Sequence, residues 1–356
     1  MAIKVTQPEL NLREVLKDID TPRGAVGTQL LAADTAAQAH AIIQAGRKNL
    51  IINGDHRISQ RGDFTSATAA ANNTYYTDRW NTDFTGVSAD ITHTQSQVLP
   101  NGEYSGSLKL TATSTATGYL QLRQKIETED WMQGQTVTFS AWVRSNNPLT
   151  RLRLESGSAD SGNNLDGYER HAGNGEWQFM KMTAKLKESA LSALHFGTIC
   201  WDSATMLIDS GTYVEIALAQ LEVGIAATPF ERRSIAEEER LCYRYYIRYT
   251  NTYADQEQIC VGVIADADDV FGIVHLPVDM RAEPAVNTSG SADFEITTVF
   301  AGGGGTQDAS VALGYASNRT PGIRATGASG GLTDGARIIR FKGAPRTKWL
   351  EFTAEI

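Results

Sequence analysis

Cysteine is nearly absent from this chain of 356 residues: Cys200, Cys242 and Cys260 are the only three. An odd number with no CxxC spacing does not build a disulfide framework, and it fits assembly in a reducing cytoplasm. Proline is scarce at 9 residues while glycine reaches 32, a balance suited to many turns between short strands. No segment approaches the roughly 18 consecutive apolar residues of a membrane span, so no membrane insertion is expected. The opening "MAIKVTQPELNLREVLKDID" holds no apolar core of signal-peptide length. Positive charge is short as well. With 32 Lys and Arg against 41 Asp and Glu, the net charge is −9. That argues against nucleic acid as a partner, because affinity for phosphate backbones rests on clustered cations.

What is present divides the chain. Residues 1–48 lack strand alternation. There "ELNLREVLKDID" sets Leu10, Leu12, Val15, Leu16 and Ile19 at helical spacings, and "TQLLAADTAAQAHAIIQAG" follows as an alanine-rich helical linker. Isolated helices of this length are marginal in water, so the segment needs a partner. The five apolar residues are the candidates for attachment to another protein. From 49 to 233, phrases such as "GSLKLTAT", "GYLQLRQKIE", "QTVTFSAWVRS" and "TYVEIALAQLEVG" alternate apolar and polar positions, separated by Gly, Asn and Asp clusters. Strands at this spacing without helices between them predict an antiparallel, jelly-roll-like β-sandwich. A second set over 245–356, including "CVGVIAD", "ADFEITTVF" and "GARIIRFKG", predicts another, smaller sandwich.

Between these sets lies "TPFERRSIAEEERLCYRYYIRYT" (Thr228 to Thr250). Ser234 followed three residues later by Glu237 is a capping box, so a short helical joint is expected over 234–244. Ile235, Glu238, Leu241, Cys242 and Tyr245 would share one of its faces. Phe230, Leu241, Tyr243, Tyr245 and Tyr246 are the candidates for a seam between domains and between subunits.

Several phrases carry a resemblance when taken in order. "NLIINGDHRISQRG", "YYTDRW", "TVTFSAWVRS", "AQLEVGIAATPFERRS", "EERLCYRYY", "LPVDMRAEPAV" and "WLEFTAEI" together resemble blocks of bacteriophage tail fibre and tail receptor-binding proteins. The alanine-rich stretch from Gly27 is similar to the linker that precedes them. The resemblance implies a homotrimeric virion protein of the tail, assembled in the host cytoplasm. Its N-terminus would hold other tail proteins, and a carbohydrate-binding-like sandwich would meet a host cell-surface glycan. A structural adaptor or decoration protein without receptor binding shares all these features. A polysaccharide depolymerase of the tailspike type resembles a longer, rung-repeating body, and no internal repeat occurs here.

Catalytic chemistry is not expected. Glycoside hydrolysis needs two carboxyl groups about 5 to 9.5 Å apart in a cleft. Asp202 with Asp209, or Asp266, Asp268 and Asp269, read as solvated turns. The six histidines, His40, His56, His93, His171, His195 and His275, are scattered without zinc-ligand spacing, so no metal or other cofactor is expected. "GASGG" leads into a strand rather than a helix, which disqualifies Ser329 as an elbow nucleophile. "RGD" (Arg61 to Asp63) reads as a chance tripeptide. Glycan recognition combines aromatic faces with amides and carboxylates. Trp80, Trp142 and Trp177 read as packing positions. The candidate binding residues therefore lie on loops: Asn163, Asn164, Asp166, Tyr168, Arg170 and His171 in the loop 156–175, and Tyr315, Asn318 and Arg319 in a glycine-rich loop 314–335.

Overall fold

A computed structural model describes residues 48–355, apart from 157–164, 167–168, 188–193, 202, 204, 252–256, 299–305, 328–331, 333–334 and 344–346. The attachment candidates Leu10, Leu12, Val15, Leu16 and Ile19 lie outside the described residues, as does the alanine-rich stretch. The chain is mainly β. Six strands form one sheet in the order β1 (Thr68–Ala69), β3 (Ala89–Val98), β4 (Tyr104–Ala112), β13 (Tyr213–Val223), β7 (Thr136–Ser145) and β10 (Trp177–Lys185). Five more form a second: β2 (Trp80–Thr85), β6 (Tyr119–Ile126), β11 (Leu194–Cys200), β8 (Thr150–Ser156) and β9 (Leu165–Asp166). A small pair, β5 (Ala116–Thr117) with β12 (Leu207–Ile208), flanks them.

The period of two explains the packing. In β7, Val137, Phe139, Ala141 and Val143 are buried on one side. Leu120, Leu122 and Ile126 of β6 and Leu194, Phe196 and Cys200 of β11 do the same in the facing sheet. These sides meet in one apolar core with Ile51 and Trp80, and each large side chain so buried contributes roughly 1.5–3 kcal/mol. The result is a β-sandwich, with Trp80 in its core as the sequence predicts.

Beyond residue 245 the expectation of a second sandwich is corrected. Six strands close into a barrel in the order β15 (Gln258–Ile264), β16 (Asp269–Ile273), β20 (Gly322–Gly327), β19 (Gln307–Tyr315), β18 (Phe294–Thr298) and β21 (Ala336–Phe341). Beside it, β14 (Tyr246–Thr250), β22 (Trp349–Thr353) and β17 (Ala285–Thr288) make a three-stranded sheet. Alternation supplies one apolar face whether a sheet covers a second sheet or curls on itself. Closure depends on stagger and local bends, here at register shifts between Gln258 and Cys260 and between Leu313 and Tyr315. The stretch 314–335, read as one loop, is also corrected, since β20 runs through it.

The helix α1 (Ile235–Tyr243) starts at Ser234, whose side chain accepts from the Glu237 N–H at 3.3 Å. Its inward residues are Glu238 and Cys242, while Ile235 is exposed, contrary to the predicted face. Glu238 is drawn inward by two donors, the Asn53 N–H at 2.6 Å and Arg233 Nη1 at 3.0 Å. Arg233 also donates to the carbonyls of Ile51 and Asn49. Glu231 accepts from the N–H groups of Lys48 and Asn49 at 3.0 and 2.7 Å.

The tyrosines of the seam are used within one chain. Tyr245 covers the Arg79 guanidinium and Tyr246 covers that of Arg61, each at 3.5 Å from the ring centroid. Both rings are at most 4% exposed, and the cations that cover them come from the same chain. Tyr243 is half-buried against the second core, and Leu241 is half-buried. Arg79 and Arg61 both bind Glu355, and Arg248 with Tyr246 binds Glu351. Burial alone would raise the Glu351 pKa, but the hydrogen bonds from Tyr246 and Arg248 bring it below the ordinary value.

Candidate functional site

The outward side of the six-stranded sheet carries a cleft of about 390 Å³. Its construction starts with parity. In β7 the residues that alternate with the core set are Thr138, Ser140, Trp142 and Arg144. In β10 they are Trp177, Phe179, Lys181 and Thr183. Antiparallel register sets Phe179 opposite Trp142, and their rings stand 5.6 Å apart, tilted by 55°. This cross-strand pair forms one wall, with Phe179 43% exposed.

A bulge in β13 builds the floor. Register shifts between Ala217 and Gln220, and Leu218 takes a φ of 45°, a left-handed conformation rare for a bulky residue. The extra residue lets both Ala217 and Leu218 face the cleft side, where they join Leu99 in a small buried cluster under Trp142, Trp177 and Phe230. Two buried polar side chains of β13 then fold the following loop back over the sheet. Gln220 accepts from the Glu231 N–H at 2.7 Å and donates to the Thr228 carbonyl at 3.2 Å. Glu222 accepts from the N–H and hydroxyl of Thr228 at 2.9 and 2.7 Å. The loop brings Pro229 and Phe230 to the cleft as the second wall.

The rim comes from the β3–β4 turn. Gly102, at φ 81°, donates to the Leu99 carbonyl, and the Asn101 side chain accepts from the Glu103 N–H at 3.2 Å. Asn101 and Glu103 thereby line the cleft with Ser140, Gln220 and Thr228. Apolar and aromatic walls with a few convergent polar groups are the usual make-up of a small-molecule site.

The loop candidates are dispersed. Asn163, Asn164 and Tyr168 lie outside the described residues, and Asp166 sits on β9 in register with Arg153. Arg170 is exposed. His171 is a correction: it is buried, Nε2 faces the Glu176 carbonyl, Nδ1 accepts from the Gly173 N–H, and burial lowers its pKa. Its ring shapes its own turn. Tyr315 is 69% exposed at the end of β19, where Phe271 packs 5.5 Å away. Asn318 and Arg319 are exposed in the β19–β20 turn, and Arg319 pairs with Asp279 at 2.9 Å. Phe230, read as a seam residue, instead walls the cleft. Trp142, read as a packing position, does pack on the buried cluster but also lines the cleft, and Phe179 was not singled out in the sequence. Their signal lies in the parity they share with Thr138, Ser140 and Lys181.

Among the carboxylate candidates, Asp202 is outside the described residues and Asp209 is exposed. The Asp266 side chain accepts from the N–H groups of Asp268 and Asp269, a turn, and Arg324 binds Asp269, which lowers the pKa of that carboxyl. Among the described residues, no group of three His, Cys, Asp or Glu is placed to hold a metal ion.

No family model matches this chain, and no curated protein matches it. Solved structures give distant, partial likenesses. The enzymatically active domain of tailspike protein 4 of bacteriophage CBA120 is 13% identical over 49% of this chain, with a TM-score of 0.34. The match spans only 21% of that tailspike chain. TmCBM61, solved in complex with β-1,4-galactotriose, is 10% identical over 50% of this chain and 100% of its own, with a TM-score of 0.31. A family 11 carbohydrate-binding module from Clostridium thermocellum, in complex with a β-1,3-1,4-mixed-linked tetrasaccharide, is 13% identical over 46% of this chain and 100% of its own, with a TM-score of 0.26.

Proposed function

We propose that this chain is a phage tail fibre component that recognises a glycan on the host surface, and that the aromatic cleft of the six-stranded sheet is its binding site. One observation carries the reading: Trp142 and Phe179 face Phe230 across an open cleft whose rim holds an amide and a carboxylate. Sugar rings offer apolar C–H faces and hydroxyl edges, and this arrangement meets both. The tail assignment rests on the ordered phrases that resemble tail proteins. On the same reading, residues 1–48 hold other tail proteins, 49–233 and 245–356 act as two domains joined at 234–244, and the fibre is a homotrimer.

The test is competition for adsorption. Purified chain is expected to block adsorption of the phage that carries it, and Trp142→Ala with Phe179→Ala is expected to weaken that block by at least about tenfold, ~1.4 kcal/mol. Equal blocking by the double variant would move the site elsewhere. A second reading, a structural virion component without receptor binding, is favoured by one feature. Val261, Val263, Ile273 and Tyr315 form an exposed apolar stripe on the barrel, of the kind that marks protein contacts. Folded chain that leaves adsorption untouched would favour that reading.

A further inference from the structure

We infer that the cleft selects neutral sugars and discriminates against carboxylated ones, with Glu103 as the specificity-determining residue. The inference rests on the glycan reading above. Among the described residues lining the cleft there is no Lys or Arg, and Glu103 is the one ionisable side chain. Its carboxylate is about one-third exposed, so it is available to accept sugar hydroxyls.

The cations nearby are already engaged. Arg232 lies between two carboxylates, Glu103 at 3.3 Å and Asp55 at 3.6 Å, and also donates to the Tyr104 carbonyl. Lys48 Nζ is turned to the Thr228 hydroxyl at 2.6 Å and the Pro229 carbonyl at 2.5 Å, on the loop that forms the second wall. Behind that loop stand two more carboxylates, Glu222, bonded to the Thr228 N–H, and Glu231, bonded to the N–H groups of Lys48 and Asn49. A uronate or sialate carboxylate entering the cleft would lose water between apolar walls and face Glu103, a like-charge contact that the Arg232 pair offsets only in part. A neutral ring meets the same walls with hydroxyls that the carboxylate and the Asn101 amide can bind. Lys181, opposite Ser140 at the cleft's edge, and Arg232, exposed beside the Phe230 ring, are the exposed cations placed to oppose this selection.

The experiment uses the full chain on an array of bacterial oligosaccharides that pairs each carboxylated glycan with its carboxyl-reduced, neutral form. Neutral forms are expected to bind at least about tenfold tighter. Glu103→Gln keeps the shape of the side chain and is expected to narrow that gap several-fold, with folding checked by circular dichroism. Equal or tighter binding of the carboxylated forms, or a gap unchanged in Glu103→Gln, overturns the inference while leaving the glycan reading in place. Binding of neither form, by chain that is folded, overturns both.

Discussion

Arg79→Met probes whether the seam is an intrachain ion-pair cluster. Arg79 is almost fully buried, binds Glu355, donates to the Lys125 carbonyl at 2.6 Å and lies under the Tyr245 ring. Breaking a buried pair by removing one partner costs about 3–5 kcal/mol. Glu355 keeps Arg61 at 3.1 Å, which places the ion-pair loss near the lower end, about 3 kcal/mol. The lost contact with the Tyr245 face adds about 1 kcal/mol. Methionine retains much of the apolar stem, so packing loss is small. A total near 4 kcal/mol is therefore expected, read as a fall in the urea midpoint at constant slope.

A double-mutant cycle separates the ion pair from the rest. Glu355→Gln leaves Arg79 buried with the Lys125 carbonyl and Tyr245 as partners, and is expected to cost about 3 kcal/mol. The double variant should cost less than the sum of the singles by about 2 kcal/mol, the signature of direct contact. Dilution distinguishes the seam from a subunit interface. Because Tyr245 and Arg79 belong to one chain, the loss should not depend on protein concentration. A change within about 0.5 kcal/mol for Arg79→Met, or a coupling near zero, would refute the reasoning.

His56 is buried beside Thr77 and the Trp80 ring, and burial first, then His93, holds its pKa well below the ordinary value. The unfolded chain therefore takes up the proton first. Stability is expected to fall as pH drops below about 6.5, by up to ~1.4 kcal/mol per pH unit until the folded value is reached. His56→Asn, which tolerates the φ of 52°, should flatten that decline in urea titrations at pH 7.5 and 5.5. Glu351 behaves in the opposite range: with its folded pKa lowered, its stabilisation is present above about 4.3 and is lost as pH falls through the folded value. Glu351→Gln should thus be less stable than the wild type at pH 7 and closer to it at pH 3. Gly86 has a φ of 78°, and a Cβ there would stand 1.8 Å from the Thr117 carbonyl oxygen. Gly86→Ala should cost more than about 1 kcal/mol, and an unchanged thermal midpoint would mean that the β2 to β3 turn re-forms.

The strands of the sandwich were legible because alternation assigns both the element and its inward face. Trp142 shows where that reading stops short. Hydrophobicity alone assigns it to the core, whereas its parity with Thr138, Ser140 and Arg144 assigns it to the outer face. Parity is the stronger argument, because a one-residue slip would expose Val137, Phe139, Ala141 and Val143 together. Barrel closure was not legible. It turns on register shifts at Gln258 and Leu313 that leave no mark in composition. The cleft was legible only in part. Its second wall depends on Gln220 and Glu222 gripping a loop 6 to 11 residues onward, and a polar residue in a strand does not announce its partner.

The charged stretch from Glu231 to Arg240 shows how separated phrases become one structure. Near the start of the described chain, Lys48, Asn49, Ile51 and Asn53 each present backbone groups without sheet partners along that segment. Glu231, Arg233 and Glu238 supply the missing partners from about 180 residues away. Buried backbone groups need such partners, and a buried Arg233 and Glu238 need each other. Loss of either phrase would strand the polar groups of the other, so "NLIING" and "FERRSIAEE" are physically one unit. The same unit sets the cleft. Glu231 ties Lys48 and Asn49 on one side and is held by Gln220 on the other, with Phe230 as its immediate neighbour. Glu231→Gln should accordingly lower stability and, on the glycan reading, weaken binding together, whereas Phe179→Ala should weaken binding alone. Variants that separate those two effects the other way round would show that clamp and cleft are independent.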